Sequence, residues 1–170
     1  MSKRTWIAFI ATAVGVVVVD QITKALIRGS MQMGDSFPLI DGVLWCTHVH
    51  NTGAAFGMFR GQRLPLILIA LAIVLVIGYA VARLRPTSTW ARLALALIMG
   101  GAIGNLVDRA VSGGVTDFFD LGWFPVFNVA DICLDVGTAI LAICLLFGNH
   151  DRLAGACGPP RQEADAEPSA

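Results

Sequence analysis

Residues 64–81 read LPLILIALAIVLVIGYAV, a run without a charged side chain. The run approaches the roughly 20 residues that an α-helix needs to cross the hydrocarbon core of a bilayer. Three further apolar segments of similar length lie at residues 6–27, 90–106 and 126–147. The chain is therefore predicted to be mainly α-helical, an integral membrane protein with four transmembrane helices.

The composition agrees with a membrane protein. Of the 170 residues, 56% are hydrophobic and only 14% are charged, and the mean hydropathy is +0.72. Soluble domains carry about 25% charged residues. The formal net charge is zero, so nothing indicates binding of nucleic acid.

Neither the cysteines nor the histidines predict a metal cofactor. The cysteines lack C-x-x-C spacing, and Cys133 and Cys144, which lie in an apolar run, are interpreted as small hydrophobic side chains. His48 and His50 alternate along a predicted strand and share one face, but no third ligand is spaced nearby. We therefore predict that the protein uses no metal and no other cofactor.

Basic residues predict the orientation of the four spans. With four spans, both termini lie on one side, and by the positive-inside rule that side is cytoplasmic. The basic residues on the predicted inner side are Lys3, Arg4, Arg83, Arg85, Arg92, Arg152 and Arg161. The rule is imperfect here, because the outer side also holds Lys24, Arg28, Arg60, Arg63 and Arg109. The short inner loop is purely basic, which favours this orientation.

The two ends of the chain differ in character. Residues 1–19 also resemble a secretory signal peptide, but Val19-Asp20-Gln21-Ile22 contains no small-x-small cleavage site, so retention as a spanning helix is the preferred interpretation. Residues 149–170 are rich in Gly, Pro and acidic side chains and are predicted to be a disordered cytoplasmic tail. Residues 1–148 are predicted to form one membrane domain.

The loop between the first two spans predicts a β-hairpin. Apolar runs at 37–40 and 43–49 flank Asp41-Gly42, a strong hairpin signal. Small residues follow at 51–57, where a backbone or a ligand can approach closely. We predict a small extracytoplasmic β-sheet that ends near the mouths of the helices, with an ordinary surface hairpin as the alternative.

Polar side chains concentrate at the outer ends of the predicted spans. Asp20 and Lys24 lie four residues apart on one helix face and can pair. They are interpreted as a structural ion pair at a span end, where charged side chains reach the interface readily. The other members of this layer are Asn105, Asp108, Arg109, Asn128, Asp131 and Asp135. By one interpretation, Arg109 anchors the end of the third helix in the lipid headgroups. Asp120 and Asp135 are interpreted as structural acids.

Asp117 and Asp131 are the strongest candidates for chemistry. A carboxylate beside lipid is costly and indicates a functional site. The turn at 122–125 between them can bring the two together. Asp131 is predicted in the first turns of the fourth helix, where the dipole favours negative charge, and Asp117 lies beside two phenylalanines. Two carboxyls in contact share a proton, which is the arrangement of an aspartic protease.

These motifs together resemble the lipoprotein signal peptidases (signal peptidase II) over residues 6–148. The resemblance rests on DQITK at 20–24, NTGAAFG at 51–57, GGAIGNLVDR at 100–109, VTDF at 115–118 and FNVAD at 127–131. It implies a four-helix membrane aspartic endopeptidase with a sheet cradle, and Asp117 and Asp131 as its catalytic dyad. It further implies that the site is lined by Asn51, Gly53, Asn105, Arg109 and Asn128 and supported by Asp20 and Lys24.

The resemblance also implies a substrate and a location. The substrate is expected to be a prolipoprotein that carries a diacylglyceryl-modified cysteine, cleaved N-terminal to that cysteine. The enzyme is expected to be a monomer that contacts membrane lipid in the bacterial cytoplasmic (inner) membrane, with its site near the extracytoplasmic face. Two alternatives are a small proton-coupled carrier and a non-catalytic scaffold. A carrier predicts acids near the midplane and often repeated halves, and the sequence has neither.

Overall fold

The computed structural model describes residues 1–53, 58 and 61–147. The predicted tail at 149–170 lies outside these ranges, and so do residues 54–57 of the small-residue segment 51–57. The elements in chain order are α1 (Lys3–Ser30), β1 (Ser36–Ile40), β2 (Leu44–Asn51), α2 (Arg63–Leu84), α3 (Thr89–Ser112), β3 (Val115–Asp120) and α4 (Val129–Phe147).

Four helices in the described part of the chain are long and apolar enough to cross a membrane. They are α1, α2, α3 and α4, and a three-stranded antiparallel sheet accompanies them. The predicted class, a mainly helical membrane protein with four spans and a small sheet, is therefore confirmed.

Two of the predicted helix boundaries were wrong. The third span was predicted to end near residue 106, but α3 continues to Ser112 and ends at Gly113, whose φ of +81° suits glycine. Its last turns stay helical because their polar side chains are buried in hydrogen bonds instead of facing water. The fourth span was predicted from residue 126, but α4 begins at Val129, because Asn128 caps it.

The helix α3 is the centre of the bundle and contacts each of the other three helices. Its glycines permit close approach of the neighbouring helices. A Cβ added at Gly100 would lie 2.7 Å from Val16 Cβ on α1. A Cβ added at Gly101 would lie 2.5 Å from the carbonyl oxygen of Ala130 on α4. Side chains at these positions would push α1 and α4 away from α3.

The contacts of α3 also fix the directions of its neighbours. Successive positions along α1 meet successive positions along α3, since Val16 lies by Gly100 and Asp20 lies by Gly104. The two helices are therefore parallel. The N-terminus and the α2–α3 connection lie at one end of the bundle, and the sheet lies at the other.

The sheet has the order β1-β2-β3. The predicted hairpin between β1 and β2 is confirmed, and Gly42 in its turn has a φ of +72°. The sequence did not predict that residues 115–120 form a third strand, which pairs with β2 through Val49↔Asp117. The predicted turn at 122–125 is also present, because Phe127 pairs with Phe119 and returns the chain to α4.

Candidate active site

Asp117 lies on β3 and is only 2% exposed. One carboxyl oxygen, Oδ2, accepts a hydrogen bond from Asn51 Nδ2 at 2.9 Å, and the other, Oδ1, accepts from Asn128 Nδ2 at 2.6 Å. Burial raises the pKa of Asp117 to about 7, and the nearby charge of Asp131 acts in the same direction, against the two amide hydrogen bonds. Near neutral pH, Asp117 can therefore either hold a proton or release one.

Asp131 lies in the first turn of α4 and forms a reciprocal cap with Asn128. The backbone N–H of Asn128 donates to Asp131 Oδ2 at 3.2 Å, and the N–H of Asp131 donates to Asn128 Oδ1 at 3.0 Å. This is the capping-box arrangement, with Asn and Asp in place of Ser and Glu. It fixes the orientation of the Asp131 carboxyl, and it places that carboxyl where the helix dipole favours negative charge.

Two amides connect these carboxyls. Asn128 Nδ2 donates to Asp117 Oδ1 and also to Asn105 Oδ1, at 3.2 Å. Asn105 Nδ2 in turn donates to Asp131 Oδ1 at 2.8 Å. Asn128 is fully buried and Asn105 is 5% exposed, so water competes little for these bonds. The structure thus brings the two candidate aspartates, which come from different elements, into one hydrogen-bonded group.

A buried lysine lies behind this group. Lys24 is 0% exposed, and its Nζ lies 2.9 Å from Asp20 Oδ2, 3.3 Å from Asp108 Oδ2 and 2.9 Å from Asn105 Oδ1. The predicted Asp20–Lys24 pair is therefore present. The expectation that these charged side chains reach outward from the span end is wrong, because both are fully buried against α3 and α4. Lys24 compensates two buried carboxylates and also holds the amide that orients Asp131.

The two acids on either side of Lys24 each bind the backbone next to a candidate aspartate. Asp20 Oδ1 accepts from the N–H of Ala130, at 3.0 Å, and Ala130 directly precedes Asp131. Asp108 Oδ2 accepts from the N–H of Thr116, at 3.0 Å, and Thr116 directly precedes Asp117. One ion cluster therefore positions both β3 and α4.

Sequence reasoning missed two members of this cluster. It placed Asp108 in the polar layer without a role and did not consider Gln21. Gln21 Nε2 lies 3.1 Å from each of Asp20 Oδ2, Asp108 Oδ1 and the carbonyl oxygen of Gly104. Gln21 follows Asp20 in sequence, and Asp108 precedes Arg109. These positions were the only signal, and they did not show whether Asp108 is a structural acid or an interfacial one.

Asn51 and Arg109 form the opposite wall, and Gly53 contacts both of them. Asn51 Oδ1 accepts from the N–H of Gly53 at 2.9 Å. Arg109 Nη2 lies 3.4 Å from the carbonyl oxygen of Gly53, a long hydrogen bond. Arg109 Nε is buried and has no hydrogen-bond partner among the described residues. A buried N–H of a cation without a partner is costly, so this donor is suited to an acceptor that arrives with a ligand.

A cavity of about 230 Å³ lies between these walls. Its polar lining includes the two candidate aspartates, and its apolar lining comes from Val115 and residues 124–127. The other polar side chains that line it are Asn51, Asn105, Arg109 and Asp135. Four predicted site residues do not line the cavity: Gly53, Asn128, Asp20 and Lys24. Each of the four instead contacts a residue that does, or the backbone beside one.

The metal-ligating residue types do not converge in the described part of the chain. Residues 1–53, 58 and 61–147 contain no group of three His, Cys, Asp or Glu that could hold a metal ion. His48 Nδ1 is instead 3.0 Å from the carbonyl oxygen of Met31. The two buried carboxyls, which are joined through Asn105 and Asn128, are suited to proton transfer with a reacting group in the cavity.

Comparison with known proteins gives one consistent family. The family model described as signal peptidase (SPase) II matches residues 12–147. The lipoprotein signal peptidase of Geobacillus kaustophilus is 43% identical over 144 residues, which cover 82% of this chain and 94% of the relative. The lipoprotein signal peptidase of Geobacter sulfurreducens is 41% identical over 151 residues, which cover 85% of this chain and 94% of the relative.

Two solved structures of bacterial membrane enzymes, both determined by the in meso method, share this fold. The one at 2.3 Å resolution has a TM-score of 0.79 and 32% identity, and covers 94% of each chain. The one at 1.9 Å has a TM-score of 0.77 and 35% identity, and covers 84% of this chain and 94% of the other.

Proposed function

The chain belongs to the signal peptidase II family, and from that premise we propose that it is an aspartic endopeptidase whose catalytic dyad is Asp117 and Asp131. The family assignment supports removal of signal peptides from prolipoproteins and gives no support to the proton-coupled carrier. The observation that carries the aspartic mechanism is geometric. Both carboxyls line one cavity, and Asn128 contacts both of them, Asp117 through its side-chain amide and Asp131 through its backbone N–H.

The two aspartates have different roles in the proposed reaction. Asp131, as the carboxylate, takes a proton from a water molecule, and the water oxygen attacks the scissile carbonyl carbon. Asp117, in its protonated form, gives its proton to the carbonyl oxygen, which yields a neutral gem-diol. The gem-diol then returns a proton to Asp117, while Asp131 gives its proton to the leaving nitrogen and the C–N bond breaks. Both carboxyls thereby regain their starting states without a covalent intermediate.

The surrounding residues position the dyad and the substrate. Asn51 and Asn128 hold the Asp117 carboxyl from two sides, and Asn105 holds that of Asp131. Arg109 is proposed to bind a substrate carbonyl through its unpartnered Nε, while Gly53 keeps the guanidinium in place. Asp20 and Lys24 do not contact substrate in this proposal. They are support residues that fix the backbone and the amides.

The proposed substrate is a prolipoprotein whose cysteine already carries a diacylglyceryl group, cleaved N-terminal to that cysteine. The catalytic cavity shares Phe124, Phe127 and Asp135 with a second pocket of about 250 Å³, which is mostly apolar. Its remaining lining is Leu121, Trp123, Ile132 and Val136. A polar cavity next to an apolar one suits a substrate with a peptide bond beside acyl chains.

The family and the four apolar helices support a bacterial inner membrane protein. We propose that the end with the N-terminus faces the cytoplasm, because the α2–α3 connection carries only basic charges. The sheet and the cavity then lie at the outer face. We further propose that the monomeric domain of residues 1–148 is sufficient for cleavage. Labelling of single introduced cysteines with an impermeant reagent tests the orientation, and truncation after residue 148 tests the domain.

Cleavage of a purified diacylglyceryl prolipoprotein tests the dyad. Asp117→Asn and Asp131→Asn are expected to lower the rate by at least about 10³-fold, because each removes a carboxyl that moves a proton. Asp120→Asn is the matched control. Asp120 lies on the same strand but accepts only from Thr47 Oγ1 and the N–H of Gly122, both at 2.8 Å. Near-normal cleavage by either dyad variant would exclude the assignment, and loss on chelation with rescue by zinc would replace the aspartic mechanism.

A further inference from the structure

A second cavity, whose surface is mostly apolar but which carries two arginines, lies at the end of the bundle opposite to the dyad. It has a volume of about 370 Å³ and lies between the N-terminal halves of α1 and α3. Two arginines, Arg4 and Arg92, line it together with the hydroxyl-bearing residues Thr5, Thr12 and Thr89. Its remaining lining is apolar and consists of Ala8, Phe9, Leu93 and Ala96. We propose that this cavity binds the phosphodiester headgroup of an anionic phospholipid.

The charge distribution favours an anion at this end. Along residues 1–147, the acids nearest in sequence to Arg4 and Arg92 are Asp20 and Asp108. Each of these is sixteen residues further along its helix, which is about 24 Å away at the rise of an α-helix. Lys3, Arg83 and Arg85 add positive charge at the same end. No described carboxylate is therefore near enough to neutralise the two arginines of the cavity.

The guanidinium of Arg92 is held in a fixed orientation, which favours the binding of an anion. Its Nη1 donates to the carbonyl oxygens of Pro86 and Thr87 at 3.0 and 2.5 Å, and its Nη2 donates to Thr89 Oγ1 at 2.9 Å. These bonds fix the guanidinium plane against the α2–α3 connection. Among the described contacts, Nε and one hydrogen of Nη2 remain for a ligand, and a planar guanidinium binds phosphate oxygens well.

Arg4 supplies the second positive charge from the other wall. It lies in the first turn of α1, is exposed, and forms no ion pair within residues 1–53, 58 and 61–147. Its long side chain can therefore turn toward an anion without breaking an existing contact. Two arginines from two different helices define a position for the phosphate, whereas scattered basic residues at a membrane surface do not.

The apolar part of the cavity distinguishes a lipid from free phosphate. Phe9 and Ala96 are buried in the core cluster of the bundle, and they continue the wall from the arginines toward the middle of the membrane. Phe9 also lines an apolar groove of about 310 Å³ formed by α1 and α3. A phosphate ion would leave the exposed Ala8 and the partly exposed Leu93 of the lining uncovered. A phospholipid covers them with its glycerol and acyl chains, and basic pockets between transmembrane helices bind such headgroups.

Native mass spectrometry of the full-length protein in neutral detergent tests the proposal. Phosphatidylglycerol and phosphatidylcholine with identical acyl chains are titrated separately, and the bound fraction gives an apparent affinity for each. Phosphatidylglycerol carries a net negative charge, whereas the choline cation neutralises the phosphate of phosphatidylcholine. Each arginine is expected to contribute about fivefold through this difference in net charge, so the wild type should prefer phosphatidylglycerol by about 25-fold. Arg4→Gln should reduce this preference about fivefold. Lys3→Gln removes the same charge from the adjacent residue outside the cavity and should leave the preference unchanged.

Further variants and a competing anion distinguish a lipid site from diffuse attraction and from a site for a soluble anion. Arg92→Gln should lower the preference as Arg4→Gln does, and Arg83→Gln, at the same end but outside the cavity, should not. Equal losses in Lys3→Gln and Arg4→Gln would overturn the proposal in favour of diffuse attraction to basic charge. Displacement of phosphatidylglycerol by millimolar inorganic phosphate would overturn it in favour of a soluble anion. Equal binding of both lipids to the wild type would overturn the proposal that the cavity selects an anionic phospholipid.

Discussion

The pH dependence of folding stability reports directly on the environment of Asp117. The pKa of this carboxyl moves from its usual 3.8 to about 7, first because of burial and then because of the charge of Asp131. Between these two pH values the folded protein keeps a proton that the unfolded chain has released. The contribution of Asp117 to the free energy of unfolding is therefore at its full value below about pH 4, and it is lost as the pH rises to about 7. At 1.36 kcal/mol per pH unit, the loss amounts to about 4 kcal/mol.

Asp117→Asn removes this titration and keeps the shape of the side chain. The free energy of unfolding of both proteins is measured in detergent at intervals from pH 4 to pH 8. Groups other than the coupled Asp131 titrate alike in the two proteins, so the wild-type value minus the variant value should fall by about 4 kcal/mol across the range. Because the carboxyl is coupled to Asp131, the fall belongs to the pair and can be spread over more than one step. A difference that does not change with pH would refute a buried, proton-binding Asp117.

Three further changes test the support of the dyad. Lys24→Met should destabilise the protein by about 3–5 kcal/mol, because it removes the cation paired with the buried Asp20 and leaves Asp108 with only the distant pair to Arg28. Arg28→Met should cost under about 1 kcal/mol, because Arg28 is partly exposed; equal losses in unfolding experiments would contradict a buried cluster. Gly104→Ala places a Cβ 2.6 Å from a carboxylate oxygen and should cost about 1–3 kcal/mol, whereas Gly78→Ala meets nothing closer than 3.8 Å and should be neutral or stabilising. Asn128→Ala should slow cleavage about 100-fold, because Asp117 loses a hydrogen bond and the link through Asn105 to Asp131 is broken; unchanged kcat/KM would show that this side-chain amide does not position the carboxyls.

The spans were predictable because hydropathy depends only on local sequence. The run at 64–81 has no charge, and α2 extends only a few residues beyond it. The end of α3 was not predictable in the same way. Polar side chains such as Asn105 and Asp108 normally indicate that a span has reached water, but here they are buried against Lys24 from another helix. That compensation exists only in the folded bundle.

In the candidate site too, features that depend on local sequence were predictable, and contacts between distant segments were not. Asp117 and Asp131 were identifiable because a carboxyl beside apolar residues is costly wherever it lies, and the turn between them is a local signal. The roles of the supporting acids were not identifiable. Asp108 reaches the backbone of Thr116, eight residues away, and Asp20 reaches that of Ala130, over a hundred residues away. Spacing along one helix reveals an i,i+4 pair but not a contact between α1 and α4.

The most direct test of the central claim is a double-mutant comparison of cleavage rates. Single-turnover rate constants are measured for the wild type, Asp117→Asn, Asp131→Asn and the double variant, with one diacylglyceryl prolipoprotein as substrate. If the two carboxyls act as one unit, each single change should abolish nearly all catalysis, and the double variant should be no slower than either single variant. Losses that multiply in the double variant, or a single variant that retains a substantial rate, would contradict a catalytic dyad.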